Sequence, residues 1–395
     1  NGSRRPGPKA GTGSTPDLWP LHTARMTALT RLTLTDFRNY ASLSLPLDGR
    51  HVCLYGSNGA GKTNLLEAVS QLGPGRGLRS ATLPEMTRKD APGGWAVSAA
   101  LANEQRIGVG LDAGPSAKRT VRIDGAPATA SDLADLVRIV WLTPAMDGVF
   151  RGSTSDRRRF FDRQVMAHMP THGTAASRYE KAMRERNALL ERGHVDPAWA
   201  DAIEARMAES GAEMAINRAH VLESLQAAID ARPEGYFPKA DLALEGKAEQ
   251  AAIRGEDFKT IFEALTDTFR TTRRRDIAAG RTIDGPHRSD LTVIHRPTGA
   301  PAKDASTGQQ KALLIGLILA SAAALRAGGD GPSPLLLLDE AAAHLDADRR
   351  AALFDELTAL GGQAWLTGTE AFLFEAFGDR AQTVRIDDGM AVAES

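Results

Sequence analysis

The sequence predicts an α/β domain with a mixed sheet, assembled from the two ends of the chain, with a mainly helical region inserted between them. Up to about residue 142, apolar residues alternate with polar ones, which is the period of a half-buried strand. From about residue 153 the period becomes helical, and after residue 290 short apolar runs alternate with helical stretches. A chain of 395 residues, 42% hydrophobic and 25% charged, is long and apolar enough for roughly two to three folding units.

The charge balance excludes a global attraction to nucleic acid or anionic lipid. There are 48 Lys+Arg against 49 Asp+Glu, so binding of either kind requires a local patch. The single cysteine, Cys53, cannot form an internal disulfide, and no Cys/His group has metal-ligand spacing. Apolar runs near residues 313–319 and 335–338 are shorter than the roughly 18 residues that span a bilayer. We therefore predict a cytoplasmic protein that does not enter a membrane.

Patterning divides the chain into four segments. Residues 1–25 are rich in Gly, Pro, Ser and basic residues, which predicts a disordered leader followed by a natural start at Met26. Residues 26–152 are predicted to form the N-terminal part of the α/β domain and residues 277–395 its C-terminal part. Residues 153–276 are predicted to form the inserted helical region.

The elements follow in order from these patterns. One helix is expected directly after Gly61 in an otherwise strand-rich N-terminal part. In the helical region, six apolar residues recur at spacings that keep them on one stripe: Trp199, Ile203, Met207, Met214, Val221 and Leu225. Two antiparallel helices that hide the stripe against each other explain it, and a partner-binding stripe is the alternative. In the C-terminal part, strands are expected at residues 291–294, 335–338 and 363–367, and helices from about residues 308 and 347.

Residues 56–63 are Gly-Ser-Asn-Gly-Ala-Gly-Lys-Thr and match the phosphate-binding pattern G-x-x-x-x-G-K-[ST] without a mismatch. Glycines let backbone amides turn inward around a phosphate, and the start of the following helix adds partial positive charge. Lys62 is expected to neutralise phosphate oxygens and Thr63 to hold Mg²⁺. The predicted nucleotide-binding residues here are Gly56, Ser57, Asn58, Gly59, Ala60, Gly61, Lys62 and Thr63.

Two acids follow the apolar run at residues 335–338. Such a run predicts a strand buried on both faces, and ligands gather at the carboxyl ends of strands in open α/β sheets. Asp339 is expected to reach Mg²⁺, and Glu340 to polarise the water that attacks the γ-phosphate of ATP. The pair therefore predicts hydrolysis, with Glu340 and Lys62 as catalytic residues.

A second candidate phosphate site lies at the start of the helix near residue 308. Ser306 and Gly308 offer a hydroxyl, free backbone amides and the positive end of a helix dipole. Because residues 56–63 already supply one cradle, a second one is explained if two copies meet head to tail across ATP. Each copy would then present Ser306 to the γ-phosphate held by the other. The alternative is that Ser306 or Thr307 only caps a helix.

The motifs GSNGAGKT, ASTGQQK and LLLLDE followed by AAAHLD resemble the ATP-binding-cassette type of P-loop head found in SMC-like DNA repair ATPases. The segments LTRLTLTDFRNY, LGPGRGLRS, RRRFFDRQV and DGPHRSDL are similar to those of the RecF family, in the same order, over about residues 29–389. The resemblance implies an ATPase that binds duplex or gapped DNA and forms a homodimer around two ATP molecules. It also implies RecO and RecR as partners in loading the RecA recombinase at single-strand gaps.

The same resemblance assigns roles by position. It matches Lys62 and Thr63 to the Walker A motif, and the pair Asp339 and Glu340 to Walker B. Further nucleotide-binding residues that it implies are Arg38 and Asn39 in a turn after the first strand, Ser306 and Gly308 in the signature motif, and Asp346 after Walker B. The helical arm domain of the family would correspond to the inserted region.

The chain departs from the cassette pattern at several positions. Thr307 stands where the signature has glycine, and Ala305 where it has leucine. No histidine follows Walker B, so Thr367 or Thr369 is expected to substitute. Ala145 occupies a position where relatives carry an acid, which leaves the residue that senses Mg²⁺ unassigned.

Two arginine triplets flank the helical region and are candidates for DNA binding, because arginine binds phosphates bidentately. They are Arg157, Arg158 and Arg159, and Arg273, Arg274 and Arg275. Sequence-independent affinity is expected from them, and solvated surface or ion pairing is the alternative. Two other functions stay open as well, the ATP-binding subunit of a transporter and a small-molecule phosphotransferase.

Overall fold

The computed structural model describes residues 27–114, 118–192, 196–328 and 331–394. The predicted leader at residues 1–25 and the predicted start at Met26 lie outside the described residues. The strands in chain order are β1 (Leu29–Phe37), β2 (Tyr40–Pro46), β3 (His51–Tyr55), β4 (Trp95–Leu101), β5 (Arg106–Leu111), β6 (Arg119–Ile123), β7 (Ala126–Pro127), β8 (Ile139–Leu142), β9 (Ala240–Glu245), β10 (Asp290–His295), β11 (Ala300–Pro301), β12 (Leu335–Leu338), β13 (Ala364–Gly368), β14 (Ala381–Asp387) and β15 (Met390–Glu394). The helices are α1 (Lys62–Ser70), α2 (Ala130–Ala134), α3 (Thr154–His168), α4 (His172–Leu190), α5 (Pro197–Ala231), α6 (Lys247–Ile253), α7 (Phe258–Ala279), α8 (Thr307–Ala327) and α9 (Ala347–Leu360).

Three sheets organise the described chain. The first is antiparallel, in the order β2-β1-β4-β5-β6-β7, and comes entirely from the N-terminal part. The second has the order β15-β14-β3-β13-β12-β8, with β15 antiparallel to β14 and the other neighbours parallel. Strands from both ends of the chain alternate in it, which confirms the predicted mixed α/β class. The third is a small antiparallel sheet in the order β11-β10-β9.

The central strands β3, β13 and β12 of the second sheet are buried on both faces. Along β12, Leu335 and Leu337 pack with α1 and the first sheet, whereas Leu336 and Leu338 pack with α8 and α9 on the opposite face. This alternation is the period of two that a strand imposes on its side chains. A strand covered on both faces needs apolar residues at every position, which explains the run of four leucines.

Helix α8 corrects one expectation from the sequence. With 21 residues, the helix is long and apolar enough to cross a membrane. The apolar stretch is therefore longer than the run at residues 313–319 that the sequence indicated. However, 89% of its most apolar window is buried inside the protein. The helix packs against α5 and the second sheet, so its composition reflects a position in the core.

The helical region is a bundle. Ion pairs between α4 and α5, such as Glu185 with Arg206 and Arg178 with Glu213, join residues of rising number on one helix to residues of falling number on the other, so the helices are antiparallel. Helix α7 contributes to the same apolar cluster as α4 and α5. Five residues of the predicted stripe are buried, but Trp199 is 52% exposed. The helices therefore cover most of the stripe, and little of its surface is left for binding a partner.

The inserted region is connected closely to the C-terminal part. Its first helical stretch, up to residue 190, consists of two helices, α3 and α4. Strand β9 of this region pairs with β10 of the C-terminal part, and the predicted boundary after residue 276 falls inside α7. The division into domains stays a prediction.

Candidate nucleotide-binding site

Strand β3 ends at Tyr55, and the loop of residues 56–61 leads directly into α1. Gly61 has φ 116, a backbone conformation that suits glycine. A Cβ atom there would lie 2.6 Å from Tyr40 Oη and 2.7 Å from Asn39 Nδ2. The turn after β1 therefore fixes the shape of the loop, and only glycine fits at its last position. Helix α1 begins at the next residue, with its first backbone amides facing the loop.

Lys62 lies over this loop. Its Nζ donates hydrogen bonds to the backbone carbonyls of Gly56 and Ser57, at 2.6 and 2.8 Å. Burial lowers the pKa of the Lys62 ammonium, and the nearby carboxylates of Glu340 and Asp339 oppose that change. An ammonium that is already desolvated and held above a cradle of amides is placed to bind an anion.

Hydrogen bonds join the start of α1 to the end of β12. Thr63 Oγ1 donates to the Asp339 carboxylate, 3.0 Å from Oδ1 and 3.2 Å from Oδ2. Thr367 Oγ1, in β13, donates to Asp339 Oδ1 at 2.8 Å and accepts from the backbone N–H of Glu340 at 2.9 Å. Two predicted site residues that are 276 positions apart in the sequence therefore meet beside the loop.

Asp339 and Thr63 provide a place for a divalent cation. Burial raises the pKa of the Asp339 carboxyl, and the hydrogen bonds from Thr367 and Thr63 act in the opposite direction. A carboxylate and a hydroxyl oxygen side by side suit Mg²⁺, which binds oxygen ligands and usually keeps several waters. In the described parts of the chain no cluster of three or more His, Cys, Asp or Glu could hold a metal alone. This pair fits a cation that also binds phosphate.

Glu340 has an uncommon backbone conformation, with φ 52. Its side chain is half-buried, next to the buried Asp339 at the carboxyl end of β12. The bond from its N–H to Thr367 is part of what holds this conformation.

The turn after β1 contacts the loop through only one of its two predicted residues. Asn39 Nδ2 donates to the backbone carbonyl of Ala60 at 3.3 Å. The Arg38 guanidinium instead binds the buried carboxylate of Glu67 in α1 with two hydrogen bonds, at 2.8 and 2.6 Å. Arg79 donates to the same carboxylate at 2.9 Å. A nucleotide contact by Arg38 stays a prediction.

The predicted signature segment lies on the surface. Residues 306–309 are all exposed, and Ser306 is the N-cap of α8. The Ser306 backbone N–H donates to Gln309 Oε1 at 2.9 Å, and the Ser306 hydroxyl accepts from the Gln309 N–H at 3.3 Å. The helix start is therefore capped within its own turn, and at the same time its amides face solvent.

The loop before Ser306 is held from two sides. Arg151 Nη2 donates to the backbone carbonyl of Ala305 at 2.9 Å, and Gln310 Nε2 donates to the same carbonyl at 2.9 Å. Both side chains also reach the carbonyl of Lys303. These contacts fix the direction from which the exposed helix start leaves the core.

Asp346 and Ala145, the remaining predicted positions of the head, are both exposed. Asp346 is the N-cap of α9, where its carboxylate accepts from the Arg349 N–H at 2.8 Å. Ala145 lies in the short 3-10 helix Pro144–Met146 after β8, followed by Asp147, which pairs with Lys311 at 3.4 Å. Their roles toward a nucleotide stay predictions.

The arginine triplets divide into partly buried and exposed members. Arg157 binds the Asp290 carboxylate with two hydrogen bonds, and Arg273 pairs with Glu204 and is mostly buried. Arg158 donates to a backbone carbonyl. The exposed members are Arg159, Arg274 and Arg275. Of these, Arg159 pairs with Asp156 and Arg275 with Asp284 at the surface. Four of the six arginines therefore match the ion-pair alternative, and the exposed ones also present surface to a phosphate backbone.

Sequence reasoning missed three residues that shape the site. Tyr40 Oη donates to the Gly61 carbonyl at 3.1 Å, and its position beside Asn39 could have marked it. Arg79 contacts Glu67, 12 positions earlier, and Arg151 contacts Ala305, 154 positions later, and the residue spacing alone indicated neither contact.

A P-loop joined through Thr63 and Asp339 to the end of a parallel strand defines this chain as a P-loop head of the cassette type. The sequence family described as RecF/RecN/SMC N terminal domain matches residues 28–367. The chain is 52% identical over 369 residues to "DNA replication and repair protein RecF" of Rhizobium etli (strain CIAT 652), which covers 92% of this chain and 98% of the relative. Its counterpart in Brucella suis biovar 1 (strain 1330) is 52% identical over 367 residues, covering 92% and 95%. The chain belongs to the RecF family of DNA replication and repair proteins.

Solved structures show the same fold. The recombination mediator protein RecF-ATPrS in the RecFOR pathway has a TM-score of 0.80 and 21% sequence identity, covering 95% of this chain and 100% of that chain. An Smc head domain with an extended coiled coil, derived from Pyrococcus furiosus, has a TM-score of 0.51 and 16% identity, covering 94% and 97%. The shared fold extends across the inserted helical region as well as the head.

Proposed function

We propose that the chain binds ATP at residues 56–63 and hydrolyses it with the help of the two acids after β12. The link between Thr63 and Asp339 is the observation that carries this proposal, because it joins a phosphate cradle to a carboxylate suited to a cation. Lys62 and the first amides of α1 would bind the phosphates. Thr63 and Asp339 would hold Mg²⁺, which would neutralise charge on the β- and γ-phosphates.

Glu340 is the proposed general base. The carboxylate follows Asp339 at the strand end, and it would accept a proton from the water that attacks the γ-phosphate. Lys62 contacts the loop that would surround the phosphates, so its positive charge would stabilise the negative charge that develops on the transferred group.

The second part of the proposal is a homodimer closed by ATP. Support comes from the exposure of residues 306–309, since a helix start with free amides is a phosphate-binding device. A second copy would bring Ser306 and Gly308 to the γ-phosphate held by the first copy. Two identical pockets related by a twofold axis would result, each built from both subunits.

The third part is sequence-independent binding of duplex or gapped DNA in the cytoplasm, in support of repair and replication. The exposed arginines Arg159, Arg274 and Arg275 are candidates for phosphate contacts. Affinity from such contacts falls as the salt concentration rises. Named relatives act in DNA replication and repair, and one solved relative belongs to the RecFOR pathway. We extend to this chain the partners RecO and RecR and a role in loading RecA at gaps.

Family membership weighs against a transporter subunit and against a small-molecule phosphotransferase. The relatives match 92% of this chain, including the helical region that neither alternative explains. We keep the DNA repair role as the proposal.

Light scattering of the purified chain tests it, with ATP, with ADP or with neither, each with and without a short gapped duplex. We expect the mass to double only with ATP, and Glu340→Gln to prolong the dimer because hydrolysis is slowed. Glu375→Gln, a change at an exposed acid outside the site, is the matched control and should behave as the unchanged chain. A mass that is the same in every condition would contradict the ATP-dependent dimer. DNA binding that is equally strong with ATP, with ADP and without nucleotide, measured by filter binding, would contradict the coupling of DNA binding to ATP.

A further inference from the structure

One hydroxyl in β13 contacts both acids of the site. Thr367 is completely buried. Its Oγ1 donates to Asp339 Oδ1 at 2.8 Å and accepts from the Glu340 N–H at 2.9 Å. A hydroxyl has one donor and two acceptor sites, so a single side chain can serve both acids at once.

The strand register explains why this threonine occupies the position. β12 and β13 are parallel neighbours, with Leu338 opposite Leu366. One residue further along each strand, Asp339 and Thr367 are therefore side by side. Thr369, the other threonine considered from the sequence, is exposed and lies beyond the strand end.

The hydroxyl fixes each acid by a different route. Glu340 has φ 52, and a non-glycine residue stays in that region only when its surroundings hold it there. The bond from the Glu340 N–H to Thr367 supplies one such restraint, and the backbone direction at Glu340 sets where its carboxylate points.

Asp339 is held from two sides. Thr63 approaches its carboxylate from α1, whereas Thr367 approaches from the sheet. When Thr63 uses its oxygen for a cation, Thr367 still restrains Asp339 Oδ1. The orientation of the carboxylate then does not depend on whether the site is filled.

We propose that Thr367 is a positioning residue for ATP hydrolysis, which aligns Glu340 through its backbone and Asp339 through its carboxylate. This inference rests on the proposed function, because it deepens the role of the same site. Thr367 does not touch the reacting atoms in this arrangement, so its removal should slow turnover more than it weakens ATP binding.

Thr367→Val tests the hydroxyl, because valine keeps the branched shape and removes the hydrogen bonds. We expect kcat to fall roughly 10- to 100-fold, the effect of losing a hydrogen bond to charged catalytic groups, while the KM for ATP changes less than about threefold. Thr367→Ser keeps the hydroxyl and should restore kcat to within about threefold of the unchanged chain. Thr260→Val is the matched control at an exposed threonine in α7, outside the site, and should alter neither constant.

A second pair keeps the test decisive if the valine variant does not fold. Serine and cysteine are similar in size, but a thiol is a weak hydrogen-bond donor. Thr367→Cys should therefore lose kcat while Thr367→Ser keeps it. Equal kcat for the serine and cysteine variants, or a valine variant as fast as the unchanged chain, would overturn the positioning role alone. An unchanged chain that neither binds nor hydrolyses ATP would overturn both this inference and the proposed function.

Discussion

The two halves of the proposed ATP pocket differ in how far one chain completes them. The half formed by residues 56–63 with Asp339 and Glu340, called the P-loop half below, is linked by hydrogen bonds across three elements. The half formed by residues 306–309, called the α8 half, is exposed and makes its hydrogen bonds within its own turn. One half is built by the sheet, and the other is presented to solvent.

This difference has a physical reason. A carboxylate and a lysine that are desolvated need partners inside the chain, and Asp339 and Lys62 have them. The amides at the start of α8 face water, so they need no partner in the free chain. In the proposed dimer, this exposed helix start would be the part of the pocket that a neighbour completes. The comparison therefore predicts that substitutions in the two halves impair different properties, ATP binding in the P-loop half and the ATP-dependent dimer in the α8 half.

The largest expected effects come from one inactive variant in each half. Lys62→Ala removes an ammonium that would contact phosphate oxygens, so ATP affinity should fall by roughly 100-fold, or about 3 kcal/mol. Ser306→Arg blocks the exposed helix start, so ATP binding should remain while the ATP-dependent dimer and turnover disappear. Calorimetry and light scattering measure the two properties separately.

Mixing these two variants sharpens the comparison. A mixed pair has one complete pocket, with Lys62 from the Ser306→Arg copy and Ser306 from the Lys62→Ala copy. Because half of the pairs in an equal mixture are mixed, turnover should recover to at most about a quarter of that of the unchanged chain. A double variant mixed with either single variant lacks one of the groups everywhere and should recover nothing. No recovery in the first mixture would contradict a pocket shared between subunits.

The same glycine-to-alanine change in each half gives a smaller, opposite pair of effects. At Gly61, with φ 116, a Cβ would press on Tyr40 and Asn39, so Gly61→Ala should lower the free energy of unfolding by about 3 kcal/mol. At Gly308, a Cβ would meet nothing within 4 Å, so Gly308→Ala should raise it by about 0.5 kcal/mol because alanine favours the helix. Urea denaturation measures both.

Gly308→Ala has a second readout that belongs to the comparison. If the α8 half closes on a phosphate of a neighbour, the added methyl group should weaken the ATP-dependent dimer even though the chain is more stable. If both alanine variants lowered the free energy of unfolding equally, the α8 half would be as tightly packed as the P-loop half, which would contradict the exposure of residues 306–309.

The sequence was sufficient for the P-loop half because its parts are contiguous patterns. Residues 56–63 match a motif, and four leucines before Asp339 indicate a buried strand, so parallel strand ends bring the two together. The choice between Thr367 and Thr369 was different, because the two threonines lie only two positions apart at the end of β13 and no local pattern separates them. Only the register that places Leu338 opposite Leu366 shows that Thr367 is the threonine beside Asp339.

Other features could not be predicted because they depend on long-range packing. Arg157 and Arg159 look alike in the sequence, yet Arg157 is bound to Asp290, 133 positions away, whereas Arg159 is exposed and pairs with Asp156 in its own helix turn. Arg151 donates a hydrogen bond to the backbone carbonyl of Ala305, which lies 154 positions away, and no local pattern indicates this contact. A sequence specifies such pairs only through the fold that brings them together.

The last expected effect concerns acid stability in the strand that leads into the P-loop half. His51 Nδ1, at the start of β3, accepts the Ala364 N–H at 3.0 Å. Burial, with a contribution from the positive charge of Arg380, lowers the pKa of His51 to about 4, against about 6.5 in an unfolded chain. A lowered pKa means that this stability is present above pH 6.5 and is lost as the pH falls toward 4. From pH 7.5 to pH 5 the loss should be about 2 kcal/mol.

His51→Asn keeps an acceptor for the Ala364 N–H without titrating, so urea denaturation should show a shallower pH slope. His344→Asn, at an exposed histidine before α9, should keep the original slope, and a matching change in slope for both variants would assign the effect elsewhere.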